Sequence, residues 1–421
     1  CDFISKYGSS PDDRKTVKAH DEQGNDVEIS LDGSDTVLQI FKTISESHVG
    51  ELSLFRVYSG SVKPGDDLYN SDRKTSERFG QMFVLNGKNR TQVDTVSAGD
   101  IAGVVKLKDT HTNNTLCSGK HVSLPPLELP NPNIHAAIVP MAKGDEEKLA
   151  IGLATLHEED PTFVYRVDSE VKQTIISGQG ELHLKVTTER LKRKFGIDIL
   201  LEKPRVPYRE TITGKGAAKY RHKKQSGGAG QFAEVWMRIE PKQRGEGVEF
   251  TQSLVGQNVD RVFVPSVEKG VKSTCTEGVL ANCKVVDVKV DFYDGKMHPV
   301  DSKDIAFQTA GAHAFRDAFL SAQPCLLEPI MDIEVKIPEE FMGDIMGDIS
   351  GKRGKIMGMD SDGSFQVIRA QVPQAELYNY ATTVRSLTGG RGIHSESSSH
   401  YEKMPKDFER KVIAATKKDE E

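Results

Sequence analysis

From Glu51 onward the chain alternates apolar and polar positions in short runs, ELSLFRVYSG, SVKPGDDLYN and SAGDIAGVVKL, broken by Pro-Gly and Gly-Asp turns. Apolar residues on both faces of LSLFRVY predict barrel strands packed on both sides. Prolines at 125, 126, 130 and 132 mark a boundary, so residues 26–127 are expected to form a small β-barrel. Residues 1–25 are polar and broken by Gly8, Pro11 and Gly24, which predicts a linker or the remnant of a preceding domain.

At Ile134 the period changes. NIHAAIVPM predicts a strand, and DEEKLAIGLATLHEE a helix with Asp145, Glu146 and Glu147 in its first turn and Leu149, Leu153 and Leu156 on one face. TFVYRV and KQTIIS follow as strands, GELHLKVTTERLKRKF as a helix with Lys192, Arg193 and Lys194 in its last turn, and IDILLE as a strand. This β-α-β-β-α-β order over 128–203 is ferredoxin-like.

The same order recurs over 326–403. There LLEPIMDIEVKI is a strand, Pro338 opens a helix with Met342, Ile345, Met346 and Ile349 in one stripe, and GKIMGMD and SFQVIRAQV pair through the turn at 360–363. A second helix carries Leu377, Tyr380, Ala381 and Val384, GIHSESSSHYEKM returns as a strand, and 404–421 reads as a C-terminal helix or tail. The block between, 204–325, is different: a long strand GQFAEVWMRIEP with the sole tryptophan, Trp236, a helix near 262–277, a strand NCKVVDVKVDFY, a loop DGKMHPVD and a helix near 302–320. Trp236 is expected to be packed or half-buried. The fold class is multidomain α+β.

The formal net charge of -6 excludes a whole-protein basic field of the kind that holds nucleic acid nonspecifically, so any polyanion contact must be local. No run approaches the roughly 20 apolar residues of a membrane span. Cys1, Cys117, Cys275, Cys283 and Cys325 show no paired spacing, which predicts reduced thiols and a cytoplasmic location. The chain opens on Cys1 without a signal-peptide pattern, and a missing upstream portion is expected.

The stretch KYRHKKQSGGAGQ, Lys219 to Gln231, joins cations to glycines. A nucleotide cradle is disfavoured. A P-loop needs GK followed by Ser or Thr at a helix N-terminus, whereas Gly87-Lys88, Gly119-Lys120, Gly295-Lys296 and Gly354-Lys355 precede Asn89, His121, Met297 and Ile356. Gly228 and Gly230 lack the third glycine of a dinucleotide loop, and a strand follows them. His111, Cys117 and His121 have metal-ligand chemistry without metal-ligand spacing, and no metal site is expected. His183 and His313 fall within helical patterns, which suits structural histidines.

Polyanion binding fits better. Lys215, Lys219, Arg221, Lys223 and Lys224 have no acidic interruption, and the glycines let the backbone approach phosphates closely. An RNA-binding loop and a solvated hairpin both remain open. Two further basic loops, ISGKRGK (349–355) and LTGGRG (387–392), read equally as helix C-caps or anion contacts.

IISGQGELHL, KPRVPYRETI, SGGAGQF, FYDGKMHPVDSKDIAF, LEPIMDIEV, PEEFMGDIMGDISGKRGKIMGM and YATTVRSLTGGRG together resemble bacterial translation elongation factor G, the ribosomal translocase, from about residue 26 onward. The resemblance implies domains two to five of that factor: a β-barrel, two ferredoxin-like domains, and between them an α/β domain like the second domain of ribosomal protein S5. The GTP-binding domain, where GTP and Mg would bind, is not in this stretch. No cofactor and no bond chemistry are therefore expected of this chain; its parent would be a GTPase.

The family's protruding tip is matched by Arg221, Lys223, Lys224, Ser226, Gly227, Gly228, Ala229, Gly230 and Gln231 and by Asp294, Gly295, Lys296 and His298. In the family this tip enters the ribosomal A site, on the small subunit beside tRNA and mRNA, while domain five, here Lys352, Arg353, Lys355 and Arg391, faces large-subunit ribosomal RNA. The implied protein is a monomer that promotes translocation. One departure stands out. The family's loop reads GGRGQ, and Ala229 replaces the arginine, removing a planar five-donor cation. A divergent paralogue acting in ribosome recycling, or a tetracycline-resistance-type ribosomal protection protein, is the alternative; a stand-alone adaptor for ribosomal RNA is the reading of a different class.

Overall fold

Strands of the first third curl round one core, with Leu68 and Leu116 from one end of the sheet meeting Met82 and Val104 from the other, and Phe55 stacked edge-on against Phe79. The eight antiparallel strands run in the order Thr75–Arg78, Asp67–Asn70, Thr115–Cys117, Val37–Glu46, Gly50–Ser59, Ile101–Val105, Met82–Asn86 and Asn89–Val93. The computed structural model describes residues 2–46, 50–87, 89–224 and 230–418. Contacts divide the chain into two units, residues 1–166 with 174–202, and 167–173 with 203–421.

A first departure from the sequence reading lies near the start of the chain. Residues 16–21, expected within a linker, form the strand Thr16–Asp21, paired with Asp26–Ser30 and Val122–Ser123. Val17, Ala19, Val27 and Ile29 point one way and cover Val37, Cys117 and Leu124. The alternation is real but short, and the charged residues between the apolar ones hide it.

The first ferredoxin-like set follows in the expected order: Ile134–Pro140, Glu146–Glu159, Val164–Asp168, Gln173–Gly178, Glu181–Phe195 and Ile199–Glu202. Ile134–Pro140 lies between Gln173–Gly178 and Ile199–Glu202, which places first and last strands side by side. Leu149, Leu153, Leu156, Leu184 and Leu191 carry the two helices onto this sheet. Gly196 closes the second helix with φ 69, donating its N–H to Lys192 O.

In the second unit, four strands are ordered Gly216–Lys224, Gln231–Pro241, Val288–Lys296 and Val248–Gln252. Helices Val264–Glu277 and Asp304–Ser321 cover one face through Val267, Val271, Phe307, Ala314 and Phe315, which pack on Val235, Met237, Val290 and Phe292. The two helices touch backbone to backbone at Gly270, where a Cβ would come within 2.1 Å of Gln308 O. The other face of the sheet carries the charged residues.

The 15-residue strand Pro324–Pro338 connects this block to the last one. Its first residues pair with Arg209–Ile212, and its remainder lies between Phe365–Pro373 and Ile393–Lys403. With Lys355–Asp362 beyond Phe365–Pro373, and helices Met342–Gly351 and Tyr380–Leu387, the last block repeats the ferredoxin-like order. The helix expected to begin at Pro338 instead starts with a short turn Glu339–Phe341, because Pro338 still pairs with Phe365 in the sheet. Lys406–Lys418 closes the chain as a helix against Leu326 and Met404 through Val412 and Ile413.

Candidate RNA-binding surface

The basic stretch belongs to a hairpin. Gly216–Lys224 pairs with Gln231–Pro241 in unbroken register from Gly216↔Ile239 to Lys224↔Gln231. Period-two alternation then sorts its side chains: Ala218 and Tyr220 pack inward, with Tyr220 stacked on His313, while Lys219, Arg221 and Lys223 are exposed. Ser226, Gly227, Gly228 and Ala229 lie outside the described residues.

The second sequence-predicted loop meets the same end of the sheet. Phe232 N donates to Asp301 O at 3.0 Å, and Ser302 Oγ donates to Phe232 O at 2.8 Å. Gly230 sits so close that a Cβ would lie 2.8 Å from the Asp301 carboxylate. His298, in the 297–303 loop, accepts the Asp301 N–H on Nδ1 at 3.2 Å and stands edge-on to Phe232. A third loop joins them: Asn258 Nδ2 donates to Asp294 Oδ1 at 3.2 Å, and Asp260 N to Met297 Sδ at 3.3 Å. Residues 230–232, the segment 258–260 and the loop 297–303, far apart in sequence, thus meet at one end of this block.

The candidates differ in availability there. Lys223, Lys224, Lys296 and His298 are exposed, and Lys223 and Lys224 meet no carboxylate among the described residues. Gln231 holds His222 through Oε1 at 3.0 Å. Gly295 is buried, and a Cβ would fall 2.3 Å from Glu234 O, so packing accounts for it. Arg221 is tethered: its Nε donates to Glu234 Oε2 at 2.5 Å, opposite it in the register.

Glu234 is the residue that sequence reading missed. Its other oxygen accepts the Trp236 indole N–H at 2.8 Å, and Lys219 lies 5.6 Å over the Trp236 ring. The only available signal was the two-residue spacing of Phe232, Glu234 and Trp236, which does not say which cation stands opposite. Burial alone would push the Glu234 carboxyl up, but the Trp236 and Arg221 hydrogen bonds, with the Arg221 and Lys296 charges, hold it below its ordinary value.

A folded value below the unfolded one means stabilisation that is present above about pH 4.3 and is lost as pH falls through the lower folded value. Fluorescence of Trp236, the only tryptophan, should change with a midpoint on the acid side of that figure, and Glu234→Gln should abolish the transition.

The four cations of the last block separate likewise. Lys355 is exposed. Arg391 pairs with Glu340 at 2.5 Å and lies 4.8 Å over Phe341, but both partners of the ion pair are more than half exposed, and such pairs exchange readily. Lys352 leans over Tyr380 at 5.7 Å. Arg353 is turned inward, with Nη1 and Nη2 on the two Glu328 oxygens at 2.8 and 2.9 Å, Nε on Glu376 at 3.1 Å and the guanidinium 4.2 Å over Phe408. The guanidinium is thereby held by carboxylates and an aromatic ring within this unit.

The metal-ligand residue types go separate ways: His111 to Glu158 at 2.7 Å, His121 to Glu22 at 2.7 Å and onto Tyr69, and Cys117 into the core. His183 faces Asp160 at 3.2 Å. Among the described residues no helix is long and apolar enough to cross a membrane.

Consecutive family models match the chain: elongation factor G domain 2 over 36–119, domain III over 129–203, domain IV over 204–323 and the elongation factor G C-terminus over 325–412. A crystal structure of a protein from Thermus thermophilus is 33% identical with a TM-score of 0.78; the match covers 93% of this chain and 59% of that one. The chain therefore spans less than two thirds of the length of that relative.

Proposed function

Because the chain belongs to the elongation factor G family, we propose that it is the ribosome-binding part of a translocase that moves tRNA and mRNA. The observation that carries this reading is the meeting of the hairpin strands' end, at Lys224 and at Gly230–Phe232, with the 297–303 loop at one end of a sheet braced by two helices. Loops on a rigid mount can occupy the ribosomal A site while tRNA and mRNA advance by one codon, and so oppose slippage backward. Lys223, Lys224 and Lys296 would contact RNA backbone, with His298 beside them. Lys352, Lys355 and Arg391 would face large-subunit ribosomal RNA. GTP hydrolysis in a preceding domain would govern entry and release.

The test is a toeprint on a pre-translocation ribosome complex with the full-length parent and GTP. A shift by one codon is expected, and no shift would exclude a translocase. Ala229 favours a second reading, a recycling paralogue, since the arginine expected at the tip is missing. Splitting of the ribosomal subunits without a toeprint shift would select it.

Lys223→Ala with Lys224→Ala should weaken ribosome binding most at low salt. It should also make the plot of log affinity against log salt shallower by about one unit per lysine. Equal affinity and slope would return the hairpin to a solvated role.

A further inference from the structure

A cleft of about 780 Å³ lies in the second unit, where the strand Arg209–Ile212 and the bridge Lys284–Val285 approach the strand Ile393–Lys403. Four cationic side chains line it, Arg209, Arg244, Lys272 and Lys284, together with His400. They come from separate segments, so no run in the sequence announces them. The lining holds one carboxylate, Asp287. It is 3% exposed, and its Oδ1 already accepts the N–H groups of Gly245 and Gly247 at 3.1 and 3.0 Å. Arg244 Nη1 stands 3.6 Å from its other oxygen, beyond hydrogen-bond reach.

Arg209 supplies a second, independent sign. Its Nη2 donates to Glu170 at 3.1 Å and its guanidinium lies 4.2 Å over the Tyr401 ring, but its Nε is buried without a hydrogen-bond partner. Buried donors are normally satisfied, and one left open beside a cleft calls for an acceptor. Lys284 reaches the same Glu170 only at 3.6 Å. Val248, Val285 and Leu327 add an apolar lining, which strengthens charge interactions by excluding water.

We propose that this cleft binds a phosphoryl group, carried by a free nucleotide or by an RNA backbone, through Arg209, Arg244 and Lys284. A tetrahedral, multiply charged oxyanion can meet donors arriving from several directions, whereas one carboxylate would satisfy a single guanidinium fork. Arg244, Lys272 and Lys284 belong to the middle block, and Leu327, His400 and Tyr401 to the last strands. An occupant therefore ties the two together and raises their unfolding temperature by mass action. The site is separate from the hairpin end and does not depend on the translocase reading.

Calorimetric titration of the 421-residue chain with pyrophosphate, guanosine monophosphate and a short single-stranded RNA, at matched ionic strength, tests it. Saturable binding is expected, weakened about tenfold by Arg244→Ala with Lys284→Ala, as for loss of a charge-assisted contact. Circular dichroism checks that this variant is folded. Lys272→Ala, on the helix surface, gives a second reading in which weaker binding is again expected. Binding of the mononucleotide identifies a free nucleotide as the source, and binding of the RNA alone identifies backbone phosphate. No saturable binding to any probe, or equal binding by the folded variants, overturns the proposal.

Discussion

Glu210→Ala is expected to lower the urea midpoint of the second unit and to expose the amides of 279–283 to rapid hydrogen exchange. Glu210 is fully buried. One of its oxygens accepts the N–H groups of Val279 and Leu280 at 2.7 and 2.8 Å, and the other those of Ala281 and Cys283 at 2.9 and 3.1 Å. The carboxylate thereby fixes the turn between the helix Val264–Glu277 and the bridge Lys284–Val285. A buried donor left without a partner costs about 1–3 kcal/mol; Ala281 is buried and the other three donors are half-buried, so a loss of about 3 kcal/mol is expected with partial relaxation. Glu210→Gln keeps an acceptor oxygen and should lose less. An unchanged midpoint and unchanged exchange in Glu210→Ala would show that the turn holds without it.

Arg353→Ala should be comparably damaging. Glu328, 4% exposed, would be left as a buried charge without its bidentate partner, and breaking one side of such a pair costs roughly 3–5 kcal/mol. Arg353→Lys keeps the charge but not the planar fork and should recover only part of it. Chemical denaturation measures the loss, and ribosome binding by Arg353→Ala, under conditions where it is folded, should keep the parental salt slope. Undiminished stability with a shallower slope would instead place Arg353 against RNA. Lys355→Ala should show that pattern.

These two residues show where the sequence ceases to be legible. Glu210 sits in YRETI, inside a strand-like run, and its partners begin 69 residues later. Arg353 lies in a glycine-bearing basic loop that reads naturally as an anion contact. Only the pairing of Pro324–Pro338 with its neighbours brings Glu328 beneath it. Arg221 repeats the point: its neighbours in sequence are cations and aromatics, while Glu234, across the hairpin, holds it. By contrast the barrel strands and both β-α-β-β-α-β orders were legible, because periods of 2 and 3.6 residues are local properties of the backbone. Thr16–Asp21 was missed because six residues are too few for alternation to stand out against charged spacers.

By itself the sequence determined the kinds of element, their order, the family resemblance and the presence of a basic, glycine-bearing stretch at 219–231. The tertiary structure decided where the cations are placed and what each one meets. Lys223, Lys224, Lys296 and Lys355 stay exposed, Arg221 and Arg353 are held by carboxylates, and Arg209, Arg244, Lys272 and Lys284 gather in a cleft that no linear motif marks. The physical reason is range. Side-chain alternation follows from the geometry of neighbouring residues, but a charge finds its partner through strand register and helix packing between segments distant along the chain.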